Sequence, residues 1–110
     1  MKKLFFITAA MVPICLAGTL NAADVQANWT QHCAACHGKD GKGQTKAGRM
    51  AGVKDQTDAQ YQATLKDEKM FDTIKNGLKD GEKEKMKSFK EKLSDDEIKA
   101  LVAQVRSLKK

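Results

Sequence analysis

The spacing of apolar positions is clearest at the C-terminal end of the chain. Ser94 and Glu97 have the spacing of a capping box, which predicts that a helix begins just after Ser94. Apolar residues then recur every three or four positions, as on one face of a helix. These residues are Ile98, Leu101, Val102, Val105 and Leu108. The pattern predicts a final amphipathic helix that packs on a core.

Shorter helical patterns precede this helix. Residues 25–33 predict a short helix with Asp24 as its N-cap. A second helix is predicted to begin after Thr57 or Asp58. A third is predicted to have Asp67 as its N-cap and carries an apolar face of Met70, Phe71 and Ile74.

The segments between these helices contain glycine and charge without a helical or strand period. Residues 38–52 contain glycines at positions 38, 41, 43, 48 and 52, and we expect them to form a loop. In residues 79–92, which are mostly charged, Met86 and Phe89 are the only large apolar side chains. No segment alternates convincingly as a strand would. The sequence therefore predicts an all-α fold of short helices and long loops, and loops of this length suit a chain that wraps a flat cofactor.

The N-terminal segment predicts a cleaved secretory signal peptide over residues 1–23. Two lysines precede an uncharged apolar run over residues 4–20, and small residues at 21–23 suit cleavage. An uncleaved membrane anchor and a cut after Ala22 are the alternatives. We therefore expect a periplasmic protein with one domain over residues 24–110 and no stable membrane insertion.

Composition limits what this domain can do alone. Residues 24–110 hold 18 Lys/Arg and 14 Asp/Glu, a formal charge of about +4. The surplus indicates either a solvated lysine-rich surface or docking onto acidic partner proteins. Nucleic acid is a poor candidate partner, because the chain has one Trp and one Tyr for base stacking. A core of this size is marginal without a cofactor or disulfides.

The remaining cysteines lie in the motif Cys33-Ala34-Ala35-Cys36-His37. Two thiols one helical turn apart suit thioether bonds to the vinyl groups of haem c, and the adjacent imidazole of His37 suits the iron. A dithiol oxidoreductase is disfavoured because no strand precedes the motif. A zinc site is disfavoured because His32 and His37 flank the cysteines too closely for a tetrahedron.

Haem iron held by His37 needs a second ligand on its opposite face. The candidates in residues 24–110 are His32, Met50, Met70 and Met86. His32 lies on the tethered side, and Met70 belongs to an apolar helix face. Met86 is favoured because its neighbours are Lys and Glu, so an apolar thioether there is expected to be directed inward.

These parts, in this order, make the chain similar to the class I c-type cytochromes, in particular the small single-haem bacterial members. The shared parts are Trp29 four residues before the first cysteine, C-A-A-C-H-G, D-G-K-G at 40–43, T-I-K-N-G at 73–77, Met86 with Phe89, and L-S-D-D-E-I at 93–98. The resemblance implies a cytochrome c-like fold around one covalently attached haem, with crossing N- and C-terminal helices. It implies thioethers at Cys33 and Cys36, a proximal ligand at His37 and a distal ligand at Met86.

The chain also departs from that family. Val25 and Gln104 stand where the family usually has a glycine and an aromatic residue at the helix crossing. Residues 24–110 contain no proline, neither after Met86 nor in the loop near Arg49 whose carbonyl commonly accepts the His37 ring N–H. Without the fixed φ of proline we expect both loops to be more mobile.

The function predicted from the resemblance is one-electron transfer between partner proteins, without enzymatic activity. The alternative is a five-coordinate haem protein that binds or senses a ligand, if Met86 does not bind iron. Six lysines are expected to form a rim that docks acidic partners: Lys39, Lys42, Lys46, Lys83, Lys85 and Lys87.

Overall fold

The computed structural model describes residues 22–110, so most of the predicted signal peptide lies outside the described residues. Short helices dominate, as the sequence predicts. In chain order the elements are α1 (Ala22–Asn28), a π-helical turn (Trp29–Cys33), α2 (Ala34–His37), α3 (Lys46–Ala51), α4 (Ala59–Thr64), α5 (Asp67–Asn76), β1 (Leu78–Asp80), β2 (Lys83–Met86) and α6 (Asp95–Ser107). Within the described residues, none of these helices has both the length and the apolar content needed to cross a bilayer.

The last helix forms as its sequence predicts. Ser94 and Glu97 form the capping box, with each side chain bonded to the other residue's backbone N–H. Ile98 and Leu101 are fully buried. They belong to one apolar cluster, called here the core cluster: Trp29, Cys33, Ile74, Phe89, Leu93, Ile98, Leu101, Val102 and Val105.

Helices α1 and α6 pack against each other, as expected of the N- and C-terminal helices. The Asn28 side-chain amide donates to a Glu97 carboxylate oxygen at 2.9 Å, and the Gln26 amide donates to the Gln104 oxygen at 3.1 Å. Val25 is half-buried and packs against the core cluster. The hydrogen-bond partner of Gln104 at this crossing is therefore Gln26.

Several local predictions need correction. Asp24 lies within the first turn of α1 instead of capping it. Asp67 is the first residue of α5, and Lys66 occupies the cap position. Asn76-Gly77 predicts a left-handed end to this helix, but Gly77 has φ 83° and ψ 178°, which is a positive φ outside the left-handed helical region. Asp58 does cap α4, by accepting from the Gln60 N–H.

The segment that was expected to be one glycine-rich loop contains a helix. In α3, the Thr45 hydroxyl caps the helix by accepting from the Gly48 N–H, and Gly52 ends it in the left-handed conformation at φ 72°. A helix of six residues is too short to show a hydrophobic period, and Gly48 within it argues against one on propensity.

A two-stranded antiparallel hairpin, β1–β2, was not predicted. It ends at Met86, the first residue of residues 86–90, which are called here the methionine segment. Its side chains are nearly all exposed, so there is no apolar face to reveal a strand period. Opposite charges face each other across the ladder, Lys79 against Glu84 and Asp80 against Lys83. Such pairs stabilise a hairpin without apolar burial.

Candidate haem site

Both cysteines and His37 lie on one continuous helical stretch, in which the π-helical turn runs directly into α2. The π-helical turn ends at Cys33, and α2 begins at the next residue. Cys33 is buried, Cys36 is half-buried, and both are free thiols. Residues three apart on a helix share a face, so the two thiols lie on one side of this turn.

The backbone of the motif is fixed by the segment that follows it. The Gly43 N–H donates to the His37 carbonyl at 2.8 Å, and the Thr45 hydroxyl donates to the Cys36 carbonyl at 2.7 Å. A Cβ at Gly48 would collide with that same Cys36 oxygen. Only glycine therefore allows α3 to approach the cysteine turn so closely.

Trp29 holds the other side of the motif. Its side chain is 3% exposed, and its indole N–H donates to the Gly38 carbonyl at 3.1 Å. The Trp29 and His37 ring centroids are 6.0 Å apart. A buried indole with a satisfied N–H orders the chain on both sides of the cysteines.

Burial favours the neutral form of the His37 imidazole. Burial lowers the pKa of His37, because charge is disfavoured away from water. Its Nδ1 atom is buried and has no hydrogen-bond partner among the described residues. The expected acceptor near Arg49 is not found. The carbonyls of Gly48 and Arg49 each accept a backbone N–H at the end of α3, from Val53 and Gly52.

Cys33 is also kept uncharged. Burial, and secondarily the neighbouring Cys36, raises the pKa of the Cys33 thiol to about 11. A thiol that stays protonated at neutral pH is a poor nucleophile for disulfide exchange and a poor zinc ligand. Among residues 24–110, no three His, Cys, Asp or Glu side chains are grouped so as to hold a metal ion.

The candidate axial methionines occupy different environments. Met50 on α3 is 71% exposed. Met70 and Met86 are both half-buried and pack against the core cluster that contains Cys33. The remaining candidate, His32, packs its ring edge-on against Phe89, with centroids 5.4 Å apart. Two methionines thus reach the apolar interior.

The segment after Met86 is tied to the end of α5. The Phe89 N–H donates to the Ile74 carbonyl at 3.1 Å, and the Lys90 N–H and Ser88 hydroxyl donate to the Lys75 carbonyl at 3.1 and 2.7 Å. These hydrogen bonds satisfy carbonyls that the last turn of a helix leaves free. They restrain the segment in which the family usually has a proline.

Comparison with known proteins agrees with this geometry. Residues 20–104 match the family model described as cytochrome c oxidase, cbb3-type, subunit III. The chain belongs to this family of c-type cytochromes. Among solved structures, the KustC0563 c-type cytochrome is 41% identical with a TM-score of 0.68, and the match covers 77% of this chain and 96% of that one. A mutant of Kustc0563 is also 41% identical with a TM-score of 0.68, and the match covers 78% and 99% of the two chains.

A search among curated proteins gives no match. The family and the two structures confirm the fold expected from the sequence, and they imply that this cytochrome carries covalently attached haem c. The residues present fit that group. Two free thiols on one helical face lie beside the imidazole of His37, which is the donor set that a c-type haem requires.

The cytochrome's site also depends on residues that were not singled out in the sequence. Thr45 and Gly48 hold the carbonyl of Cys36, but neither belongs to the C-x-x-C-H motif. The glycine-rich sequence around Thr45 and Gly48 predicts only a loop. Their role appears once α3 is placed against α2, because the contact depends on how two separate elements pack.

Proposed function

We propose that this cytochrome is a periplasmic single-haem electron carrier, with His37 and Met86 as the axial iron ligands. One observation carries the proposal. Cys33 and Phe89 lie in the same core cluster, and Met86, three residues before Phe89, packs against it. The proximal turn and the methionine segment are thereby held against one apolar interior.

Each residue has a distinct task in this scheme. Cys33 and Cys36 tether the cofactor, and the neutral His37 ring offers a nitrogen lone pair. The thioether of Met86 would offer a neutral sulfur as the second iron ligand. Haem iron supplies one-electron exchange between its ferrous and ferric states, and a thioether ligand favours the ferrous state. Two protein ligands leave no coordination position for a substrate, which supports transfer of electrons and disfavours catalysis.

Met86 is a better ligand candidate than Met70 for a structural reason. Met70 lies inside α5, four residues before the buried Ile74, and extends that helix face into the core. Met86 lies at the end of β2, between two lysines, and packs against the core cluster from a hairpin whose other side chains are mostly exposed. The three hydrogen bonds after it fix its direction of approach.

Substitution of Met86 tests the ligation. In holoprotein made with haem-attachment machinery, we expect Met86→Ala to lose the weak red band that marks methionine sulfur on ferric haem, and to lower the midpoint potential. Met70→Leu is the matched control and should keep both, because Leu and Met have similar volume. A band that survives in Met86→Ala and disappears in Met70→Leu would assign the ligand to Met70.

The same experiment separates the carrier from the five-coordinate alternative. If wild-type ferric protein lacks the band and its ferrous form binds carbon monoxide rapidly, Met86 leaves the iron open and the ligand-binding function replaces the carrier.

The periplasmic location rests on residues 1–23. The intact mass of protein from a periplasmic extract should show a start at Asp24 or Ala23, whereas an uncleaved Met1 would favour a membrane anchor.

A further inference from the structure

Positive charge is concentrated in separate segments of the domain. Residues 39–54 hold five cations and one carboxylate: Lys39, Lys42, Lys46, Arg49, Lys54 and Asp40. The rest of residues 24–110 holds 13 Lys/Arg and 13 Asp/Glu, since the whole stretch has 18 and 14. Residues 39–54, which directly follow the haem motif, thus carry a net charge of about +4, and residues 99–110 carry four cations and no carboxylate, while the other residues are net acidic.

The hairpin lysines, by contrast, are offset by their neighbours. Four lysines at 79, 83, 85 and 87 are interleaved with Asp80, Glu82 and Glu84. Lys79 and Lys83 also face carboxylates across the ladder. The hairpin thus carries both positive and negative charges. The six lysines that were expected to form one rim therefore do not contribute equally to a positive surface.

Helix α3 presents one face to solvent and the opposite one to the haem motif. Lys46, Arg49 and Met50 are spaced i, i+3 and i+4, so they share a face, and all three are exposed. Gly48 lies on the inner side, in contact with the Cys36 carbonyl. Met50, at 71%, and Leu78, at 44%, are the exposed large apolar side chains of residues 24–110.

An exposed methionine beside two cations has the composition of an interface centre. Methionine and arginine are enriched in protein–protein interfaces, and the flexible thioether adapts to different partner surfaces. The Thr45 hydroxyl links the start of α3 to the Cys36 carbonyl at 2.7 Å. A protein bound on the outer face of α3 is therefore separated from the cysteine turn by one helix diameter, about 10 Å.

From these observations we infer that the outer face of α3, formed by Lys46, Arg49 and Met50, is the docking surface for a redox partner protein. The partner's matching surface carries carboxylates around an apolar contact for Met50. This inference rests on the proposed electron-carrier function and names where on the molecule the partner binds. The hairpin takes no part in the initial electrostatic attraction.

A gold electrode coated with a mixed layer of carboxylate- and methyl-terminated thiols provides a defined acidic and apolar surface. Holoprotein is adsorbed at an ionic strength of about 0.1 M, where only charges within about 10 Å act strongly. Adsorbed mass is measured with a quartz microbalance, and electron transfer by voltammetry. The two readouts separate binding from redox activity.

Two double variants remove the same charge from different places. Lys46→Gln with Arg49→Gln should reduce adsorption about tenfold or more, within the range by which local fields change association. Lys83→Gln with Lys87→Gln should change it less than about twofold. Met50→Gln should weaken adsorption on the mixed layer but not on a layer of carboxylates alone. Equal loss in both double variants would mean that only net charge matters, and would overturn the inference.

A membrane surface is the competing partner. Binding to phosphatidylglycerol vesicles that is lost with Lys46→Gln and Arg49→Gln, with no difference between the double variants on the electrode, would overturn the inference in favour of lipid. Failure of the carrier function has a different signature. Adsorbed mass would then still depend on α3, while the wild-type ferric spectrum would lack the methionine band.

Discussion

At the scale of single residues, Gly48 sets how closely α3 approaches the haem-attachment turn. Its missing side chain leaves room for the Cys36 carbonyl, which accepts from the Thr45 hydroxyl. Cys36 directly precedes His37 within α2. The position of the His37 ring thus depends on a residue eleven positions further along the chain.

We expect Gly48→Ala to lower the free energy of unfolding of the holoprotein by about 1–3 kcal/mol, as overpacking does. The control is Gly52→Ala, where nothing lies within 4 Å and only the positive φ is unfavourable, at a cost of about 1 kcal/mol. Denaturant unfolding followed by Soret absorbance measures both. Equal losses in the two variants would show that α3 can move away from Cys36 freely.

Part of the loss of stability at acidic pH is expected to come from the protonation of one carboxyl group, that of Glu97. The Ser94 backbone N–H and then the Asn28 amide lower the pKa of Glu97. Its folded pKa lies below its unfolded value, so its contribution is present above the unfolded pKa and is lost as pH falls through the folded pKa. Thermal midpoints between about pH 6 and pH 3 should therefore fall less steeply in Glu97→Gln than in wild type. Glu91→Gln, at an exposed position, should leave the slope unchanged.

At the scale of elements, the crossing of α1 and α6 is built from half-buried contacts. Val25 packs on the core cluster, and two side-chain hydrogen bonds lie beside it. The family usually has a glycine at this position. In this chain the valine fills the space, so it belongs to the apolar contact between the first and last helices.

Replacing Val25 by glycine should lower the free energy of unfolding by about 2 kcal/mol, through lost apolar burial and lower helix propensity. Ala27→Gly, at an exposed position of the same helix, supplies the propensity cost alone, about 1 kcal/mol. Thermal unfolding of the two variants gives the difference. A Val25→Gly protein more stable than wild type would mean that the helices cross more closely without the side chain.

Predictability from sequence varied with the kind of signal each element carries. Helix α6 has an apolar period and a capping box, and both appear in the structure. Helix α3 and the β1–β2 hairpin were missed, because a six-residue helix and an exposed ladder bury too little to leave a period. In the site, Cys33, Cys36 and His37 are recognised by their adjacency. The lack of an acceptor for His37 Nδ1 was not predictable, since it depends on where α3 packs.

At the scale of the whole molecule, Arg106 joins three helices near the C-terminus. Its guanidinium donates to the carbonyls of Gln62 and Leu65, each at 2.7 Å, and to a carboxylate oxygen of Asp67 at 2.8 Å. Two of these acceptors belong to the end of α4 and one to the start of α5. The planar fork of arginine reaches all of them at once.

Arg106→Lys should therefore lower the free energy of unfolding by about 1–3 kcal/mol. A compact ammonium group cannot place its three N–H donors at all three acceptors, as the wider guanidinium does. The exposed Asp67 contributes little of this, so Asp67→Asn should cost less than about 1 kcal/mol. Lys99→Ala, exposed on the same helix, is the control. Unchanged stability in Arg106→Lys would show that the connection between α4 and α5 keeps its conformation without the hydrogen bonds from Arg106.

The hydrogen bonds between α5 and the methionine segment link two events that are separate in sequence. Phe89 and Lys90 are bonded to the carbonyls of Ile74 and Lys75, and Gly77 lies against the backbone of residues 86–88. Fraying of the last turn of α5 therefore breaks the same bonds that hold Met86 in place. If Met86 ligates the iron as proposed, local opening of that helix end and release of the sulfur would be one cooperative transition. The rate of ligand exchange would then depend on a helix terminus as well as on the strength of the iron–sulfur bond.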